Sequence, residues 1–319
     1  MNVFITGGGG FLGQRLARTL LERQSLAGSS IGRIVLFDQA FPANVDARLS
    51  CIAGDIAADG VIASALPKDC GAVFHLAAVV SGGAEADFDL GYRVNLDGTR
   101  ALLQACRGLT AAGRLVHTSS VAAFGGAMPA VLDDSTIPNP QSSYGAQKVM
   151  GEYLVADYSR KGFVDGRSVR LPTIVVRPGK PNAAASSFAS GIIREPLNGE
   201  AAVCPVADST GVWLLSPSRA IDALIHAMET PATDWGTNRT LNLPGITATV
   251  REMLDALAIE GGADLASRVR FVADERIQRI VQTWPTRFRT ERADAMGFKA
   301  DIDVGSVIRA HMTDQGIKR

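Results

Sequence analysis

Apolar residues fall into two alternating textures along this chain: short continuous runs, and longer stretches in which they recur every third or fourth position. The first is the texture of strands buried on both faces, the second that of amphipathic helices. Read in order, strands are expected over 2–6, 33–37, 49–53, 72–76, 114–118 and 168–176, with helices over 14–24, 61–66, 87–111 and 143–160. Strands joined by helices at this pitch need right-handed crossovers, which give a parallel sheet covered on both sides. The expected fold class is therefore α/β, a Rossmann doubly wound parallel sheet. Ligands bind such sheets beyond the carboxyl ends of the strands, which directs attention to Gly7–Gly10, Asp38, Asp55, Ala77–Ser81, Ser119, Ser120 and Pro172.

The texture changes after residue 176. Arg177-Pro178-Gly179-Lys180-Pro181 holds two prolines within five residues, which rules out a regular helix or a central strand. A strand over 212–215 and a helix over 218–229 are expected to return to the sheet. Helices over 250–259, 274–282 and 304–312, with a strand over 268–272, read as a smaller C-terminal substrate-binding cap. The expected division is a dinucleotide-binding domain over 1–176, rejoined by 212–242, and a cap made of 177–211 and 243–319.

Composition narrows the ligand. The 319 residues carry 32 basic and 32 acidic side chains, so nothing suggests a basic face for nucleic acid or a polybasic membrane anchor. A small soluble ligand is expected. Cys51, Cys70, Cys106 and Cys204 are scattered with no C-x-x-C, which speaks against a zinc site or a disulfide framework and for buried, reduced thiols. No metal is expected. The first strand begins at residue 2 and no apolar run is long enough to span a bilayer, so a cytoplasmic protein is expected.

Gly7-Gly8-Gly9-Gly10-Phe11-Leu12-Gly13 joins the first strand to the first helix. A turn that brings backbone N–H groups against a pyrophosphate at the positive end of a helix needs residues without a Cβ. Four consecutive glycines fit two registers, one on Gly7, Gly10 and Gly13 and the other on Gly8, Gly10 and Gly13. A flexible loop would have the same composition. The second strand, however, ends on Asp38, where a dinucleotide-binding unit places the acid that accepts hydrogen bonds from the adenosine ribose. A carboxylate there repels a 2′-phosphate and favours NAD over NADP, although Arg48 lies near in sequence.

Tyr144-Gly145-Ala146-Gln147-Lys148 is Y-x-x-x-K within a helical stretch, so phenol and ammonium share a face. A free phenol, with a pKa of about 10, is a poor base at neutral pH, and a neighbouring cation favours the phenolate. A solvated Tyr with a surface Lys would give the same spacing. Ser119-Ser120 at the end of the 114–118 strand supplies a hydroxyl where substrate is expected, and Ser120 is the preferred one of the two. Asn95 sits in a helix interior, which disfavours Asn, and is expected to hydrogen-bond something specific. His75 and His117 read as core residues rather than bases.

Taken together, Thr6–Gly13, Asp38, Asp55-Ile56, His75-Leu76-Ala77-Ala78, Asn95, Ser119-Ser120, Tyr144 with Lys148, and Pro172 resemble the extended short-chain dehydrogenase/reductase family. Arg292-Ala293-Asp294-Ala295-Met296-Gly297-Phe298 resembles its cap segment, so the resemblance runs over essentially the whole chain. It implies that Ser120 and Tyr144 handle a substrate hydroxyl and that Lys148 binds the nicotinamide ribose and lowers the Tyr pKa. Asn95 is implied in a proton relay. Gly7, Gly10, Phe11, Leu12 and Gly13 are implied around the pyrophosphate, Asp55 and Ile56 at adenine, Leu76, Ala77 and Ala78 along the cofactor, and Pro172 with Thr173 at the carboxamide. A homodimer packing the 87–111 and 143–160 helices into a four-helix bundle is implied as well.

The family includes dehydrogenases, epimerases and dehydratases. Dehydratases need an acidic pair after the catalytic hydroxyl, and here Val121-Ala122 follows Ser120. Sugar-nucleotide epimerases need a second pyrophosphate site, and the loop from Arg177 carries only Arg177 and Lys180 as nearby cations. The segments 158–166 and 170–191 resemble the branch that oxidises a four-carbon sugar acid, D-erythronate, at C2 to the 2-oxo acid with NAD. His75 to Ser81 resembles a substrate loop of threonine dehydrogenases. A polyhydroxy acid wants a charge-assisted partner for its carboxylate and hydroxyl or amide partners for C3 and C4, which Ser81, Arg177, Lys180, Asn182, Ser186 and Ser187 can supply. Alternatives are an epimerase that keeps its NAD, an L-threonine-type dehydrogenase, and a non-catalytic NAD-binding scaffold.

Overall fold

The computed structural model describes residues 1–179 and 184–317. Continuous apolar runs such as Val3-Phe4-Ile5 and Ile34-Val35-Leu36-Phe37 are almost wholly buried, as strands covered on both faces must be. The chain forms two units. Met1–Ala123, Ser142–Arg170 and Ile221–Leu241 make the first, and Phe124–Gln141, Leu171–Ala220 and Asn242–Arg319 the second.

The first unit is built on a seven-stranded sheet. Its strands are β1 (Asn2–Thr6), β2 (Arg33–Asp38), β3 (Ser50–Ala53), β4 (Cys70–His75), β5 (Arg114–Ser120), β6 (Asp165–Leu171) and β7 (Thr240–Asn242), in the order β7-β6-β5-β4-β1-β2-β3. The pairs β1–β2, β1–β4, β2–β3 and β4–β5 are parallel. The order reverses between β1 and β4, and a crevice at the carboxyl ends of the strands follows from that reversal. Helices α1 (Phe11–Arg23), α2 (Gly98–Cys106) and α3 (Ser143–Arg160) belong to this unit.

Four expectations are corrected. The strand over 168–176 is split at Pro172, which has no N–H to give a ladder: Asp165–Leu171 lies in the large sheet and Thr173–Ile174 pairs elsewhere. The strand over 212–215 does not return to the large sheet either. Gly211–Leu215 pairs with Thr173–Ile174 and Ile246–Thr249 in a separate three-stranded sheet, and Thr240–Asn242 takes the outer position beside β6. The helix over 87–111 is found as Phe88–Tyr92 and α2, with one π turn, Arg93–Asp97, between them. Cys51, expected to be buried, is exposed on the edge strand β3, whereas Cys70, Cys106 and Cys204 are buried.

The second unit has its own core, where Phe188, Ile192 and Ile193 meet Met253, Leu254, Leu257, Val307 and Ile308. The first three come from the helix Ser187–Leu197 and the rest from Val250–Gly261 and Val304–Gln315. Phe124–Gln141 joins this unit through Leu132, whose backbone bonds to Arg287 and Arg289. Among the described residues no helix is long and apolar enough to cross a membrane.

Candidate active site

The glycine turn is crowded from both ends. Gly7 has φ +71°, and a Cβ there would stand 2.7 Å from both Leu76 C and Ala77 N. At Gly13 a Cβ would stand 2.2 Å from the Gly7 carbonyl oxygen. Gly10 is the N-cap of α1, which has no side-chain cap and no acid in its first turn, so its positive end is open to an anion. Gly7 and Gly10 line the adjoining cavity and Gly8 does not, which favours the register on Gly7, Gly10 and Gly13. Phe11, Leu12 and Gly13 form the first turn of α1 behind it.

The cavity, about 270 Å³, lies within the first unit. Leu76, Ala77 and Ala78 line one wall and Asp38 with Ile56 another. Asp38 accepts the Gly9 N–H on Oδ2 at 2.9 Å and the Gln39 N–H on Oδ1 at 2.7 Å. An ionised carboxylate has about four acceptor positions, so capacity remains for the two hydroxyls of a ribose. Arg48 is engaged on Asp46, to whose Oδ2 its Nη2 donates at 2.7 Å. Asp55 does not line the cavity; it pairs with Arg93 and accepts the Ala57 N–H at 3.0 Å, and the guanidinium beside it lowers its pKa. Sequence reasoning missed Phe37, Gln39, Gly54, Leu90 and Val94, which line the same space, as does Val79 within the 77–81 stretch it had marked. Leu90 and Val94, four apart on one helical stretch, carried a readable signal. A glycine cradle that no side chain could fill, an open helix terminus and a carboxylate at the end of β2 fit a dinucleotide.

Elsewhere in the first unit, α3 packs against β5. Ser142 caps α3, its Oγ accepting the Gly145 N–H at 3.1 Å. Tyr144 and Lys148 lie one turn apart with the Lys148 Nζ 5.6 Å from the Tyr144 ring centroid, and Tyr144 is half-buried. Lys148 is buried and donates to the Thr118 carbonyl at 2.8 Å. Burial pushes its pKa down to about 8, with the Glu152 charge acting in the opposite direction. Of the two serines, Ser119 is buried and donates to Glu152, while Ser120 is half-buried and its Oγ accepts the Ala122 N–H at 3.1 Å.

Asn95 falls within the π turn. Its Oδ1 accepts the Val79 N–H at 2.8 Å, and its Nδ2 donates to the Val79 carbonyl at 3.0 Å and to Gln147 Oε1 at 2.7 Å. It therefore ties the cavity wall to α3. A π turn offsets the residues after it, a device common at functional sites. His75 is buried between Thr6 and Thr99, at 2.7 and 2.8 Å from their hydroxyls, and burial lowers its pKa to about 3. His117 stacks on it at 5.5 Å and bonds to Ser168 at 3.1 Å, and burial holds its pKa well below the ordinary imidazole value. Both imidazoles are neutral core groups.

Ser81 opens the short helix Ser81–Ala86 in the first unit. Pro172, Thr173, Arg177, Ser186 and Ser187 belong to the second. There Arg177 donates from Nη2 to Ser186 Oγ at 2.9 Å and from its backbone N–H to Ser190 Oγ at 3.0 Å, and its carbonyl accepts from Arg194 at 2.7 Å. Arg194 and Glu195, paired at 2.6 Å beside it, were not singled out by the sequence. Lys180 and Asn182 lie outside the described residues.

The chain is similar to known proteins. The model of the NAD dependent epimerase/dehydratase family matches residues 3–236. A protein of Cupriavidus necator named D-erythronate dehydrogenase is 54% identical over 324 aligned positions, covering 100% of both chains. One of the same name from Haemophilus influenzae is 46% identical and covers 97% of this chain and 98% of its own. A crystal structure described as a nucleoside-diphosphate-sugar epimerase of Agrobacterium tumefaciens superposes with a TM-score of 0.93 at 40% identity, covering 100% of this chain and 95% of that one. With the family model matched over most of its length and a relative more than half identical from end to end, the chain belongs to the NAD dependent epimerase/dehydratase family.

Proposed function

We propose that the protein is an NAD-dependent dehydrogenase that oxidises a four-carbon sugar acid, D-erythronate, at C2 to the 2-oxo acid. The observation that carries the reaction type is the buried Lys148 ammonium beside the Tyr144 ring, in the same unit as a glycine-cradled cavity ending on Asp38. The substrate is supported by end-to-end likeness to two proteins named D-erythronate dehydrogenase.

Gly7, Gly10, Phe11, Leu12 and Gly13 would hold the pyrophosphate, Asp38 the adenosine ribose, Asp55 and Ile56 the adenine, and Leu76, Ala77 and Ala78 the adjoining length of the cofactor. Pro172 and Thr173 are assigned to the carboxamide and Lys148 to the nicotinamide ribose. Bound NAD supplies the acceptor for the hydride that leaves C2. Tyr144, as phenolate, takes the proton of the C2 hydroxyl, and the Lys148 charge favours that phenolate. Ser120 holds the substrate oxygen; its half-exposed hydroxyl suits this role better than that of Ser119, which is already engaged on Glu152. Asn95 supports the relay by fixing the loop at Val79 to α3. Ser81 and, in the second unit, Arg177, Lys180, Asn182, Ser186 and Ser187 are assigned to the carboxylate and remaining hydroxyls.

A second reading, a sugar-nucleotide epimerase, is favoured by the name given to the Agrobacterium tumefaciens structure. NADH formation separates the readings. Net NADH from D-erythronate supports the dehydrogenase, and NADH from L-threonine alone would mark the threonine type. Interconversion of a sugar nucleotide with no net NADH would mark the epimerase. A homodimer through α2, α3 and the helix Phe88–Tyr92 is part of the proposal, supported by Phe88 and Tyr153, which are 57% and 68% exposed on those helices; sizing by light scattering tests it. The proposed location is the cytoplasm.

A further inference from the structure

Glu152, Arg170 and Ser119 form a buried polar group to which the reaction above gives no part. Glu152 lies one turn beyond Lys148 on α3, the same step that separates Lys148 from Tyr144, so the three share a face. Arg170 on β6 donates from Nε to Glu152 Oε1 at 2.8 Å and from Nη2 to Oε2 at 2.7 Å. The Ser119 hydroxyl donates to the same Oε1. Glu152 is 4% exposed and Arg170 9%. Desolvation offsets most of the attraction in a buried pair, and apolar residues of the same volume often stabilise a core as well or better. Stability is therefore a poor reason for this pair to be here.

Its surroundings supply a better one. Lys148 donates to the Thr118 carbonyl in a site closed to solvent. The titratable groups facing it from β4 and β5 are the imidazoles of His75 and His117, both held neutral by burial, so neither balances its charge. On its own helix Tyr144 balances it only when ionised. Glu152 is the charged group whose field opposes the desolvation of Lys148. The carboxylate also holds Ser119, the residue before Ser120 at the end of β5.

We propose that Glu152, clamped by Arg170 and Ser119, is a positioning residue that keeps Lys148 protonated at the cofactor site. The proposal rests on the reading of Lys148 and Tyr144 given above. It is tested on the full chain by two profiles against pH: NADH affinity, read from the fluorescence of the bound dihydropyridine with no substrate present, and the rate of D-erythronate oxidation. Both should fall on the alkaline side as Lys148 loses its proton. In Glu152→Gln that alkaline limb should move down by about one pH unit or more, because an opposite charge one helical turn away has been removed. Glu152→Asp keeps the charge and should move it less. Glu152→Gln leaves the Arg170 charge buried without its partner; if that variant does not fold, Glu152→Gln combined with Arg170→Met removes both charges at similar volume and should still shift the limb down. A binding limb that stays or rises in a variant that melts like wild type overturns the proposal. Failure of wild type to oxidise D-erythronate would overturn the substrate reading alone, because the NADH profiles do not depend on it.

Discussion

Gly13→Ala puts the glycine turn to a quantitative test. The added Cβ would stand 2.2 Å from the Gly7 carbonyl oxygen, 2.8 Å from Gly8 Cα and 3.0 Å from the Gly7 carbonyl carbon. Non-bonded heavy atoms rest at about 3.5 Å or more, so α1 must retreat from the turn by roughly 1 Å. All three atoms are backbone, and no rotamer change relieves the contact. Forcing a methyl into a filled space costs about 1–3 kcal/mol of stability. The retreat also falls on the helix N-terminus assigned to the pyrophosphate, where a hydrogen bond to a charged group is worth about 1.5–3 kcal/mol. Losing one such bond should raise the NADH dissociation constant by roughly 10- to 150-fold. Fluorescence titration measures the affinity, and urea unfolding of the same preparation measures the stability. Gly10→Ala is the internal comparison for stability, since its Cβ meets the Gly7 oxygen at 3.3 Å and a few tenths of an ångström suffice; because Gly10 lines the cavity, its NADH affinity is no part of that comparison. A Gly13→Ala variant that binds and unfolds like wild type, or a Gly10→Ala variant that is the less stable of the two, would refute the reasoning.

Further expected outcomes concern the acid–base pair, the choice of cofactor and the buried imidazoles. Tyr144→Phe should reduce turnover by about 10²–10⁴-fold, the usual worth of a positioned acid–base group, and leave NADH affinity nearly unchanged; retained turnover removes Tyr144 from its role. Asp38→Ala should weaken NAD more than NADP, whereas Arg48→Met should leave their ratio unchanged because its guanidinium is held on Asp46; binding of both cofactors to each variant checks the pair. His75 is lowered to about 3 in the folded protein, against about 6.5 unfolded, so below about pH 6.5 the unfolded chain binds a proton that the folded chain refuses. Wild type should therefore lose about 1.4 kcal/mol per pH unit for this residue between about pH 6 and about pH 4, and His75→Gln should lose that share of the slope in urea midpoints; an unaltered slope would show His75 to be protonated in the fold.

What was legible in the sequence was whatever a local pattern determines. Buried strands announce themselves by unbroken apolar runs, and the helix 143–160 lies where its periodicity ends, at Ser143–Arg160. Pairing partners do not announce themselves. Gly211–Leu215 is apolar enough for the large sheet, yet it pairs with Thr173–Ile174 and Ile246–Thr249. Pro172 was the available clue, since a residue without an N–H interrupts a central strand. The Gly7 register needed the observation that Leu76 and Ala77 lie within contact of the turn, a fact about residues some seventy positions away. Asn95 was singled out as a misfit in a helix, but not the π turn around it, because a single inserted residue leaves the apolar spacing before and after it unchanged. Ser120 was preferred over Ser119 from the sequence, but the engagement of Ser119 on Glu152, itself held by Arg170, was not legible there, because the sequence offers those two only as ordinary charged residues.

These polar groups divide by how they are satisfied. His75 is held at both ring nitrogens by Thr6 and Thr99, Asn95 at both ends of its amide by Val79 and Gln147, and Glu152 on both oxygens by Arg170, with Ser119 as well. All three are buried, and a buried group held in this way is stiff because breaking any one bond strands a partner without water; at the edge of these contacts Gln147 Nε2 is buried without a hydrogen-bond partner among the described residues. Ser120 and Tyr144, by contrast, keep part of their surface exposed. The stiff groups span β1, β4, β5, β6, α2, the π turn and α3, so the hydroxyls proposed to react rest on elements tied to one another by buried hydrogen bonds. A reaction that needs its groups held within a fraction of an ångström gains from that arrangement.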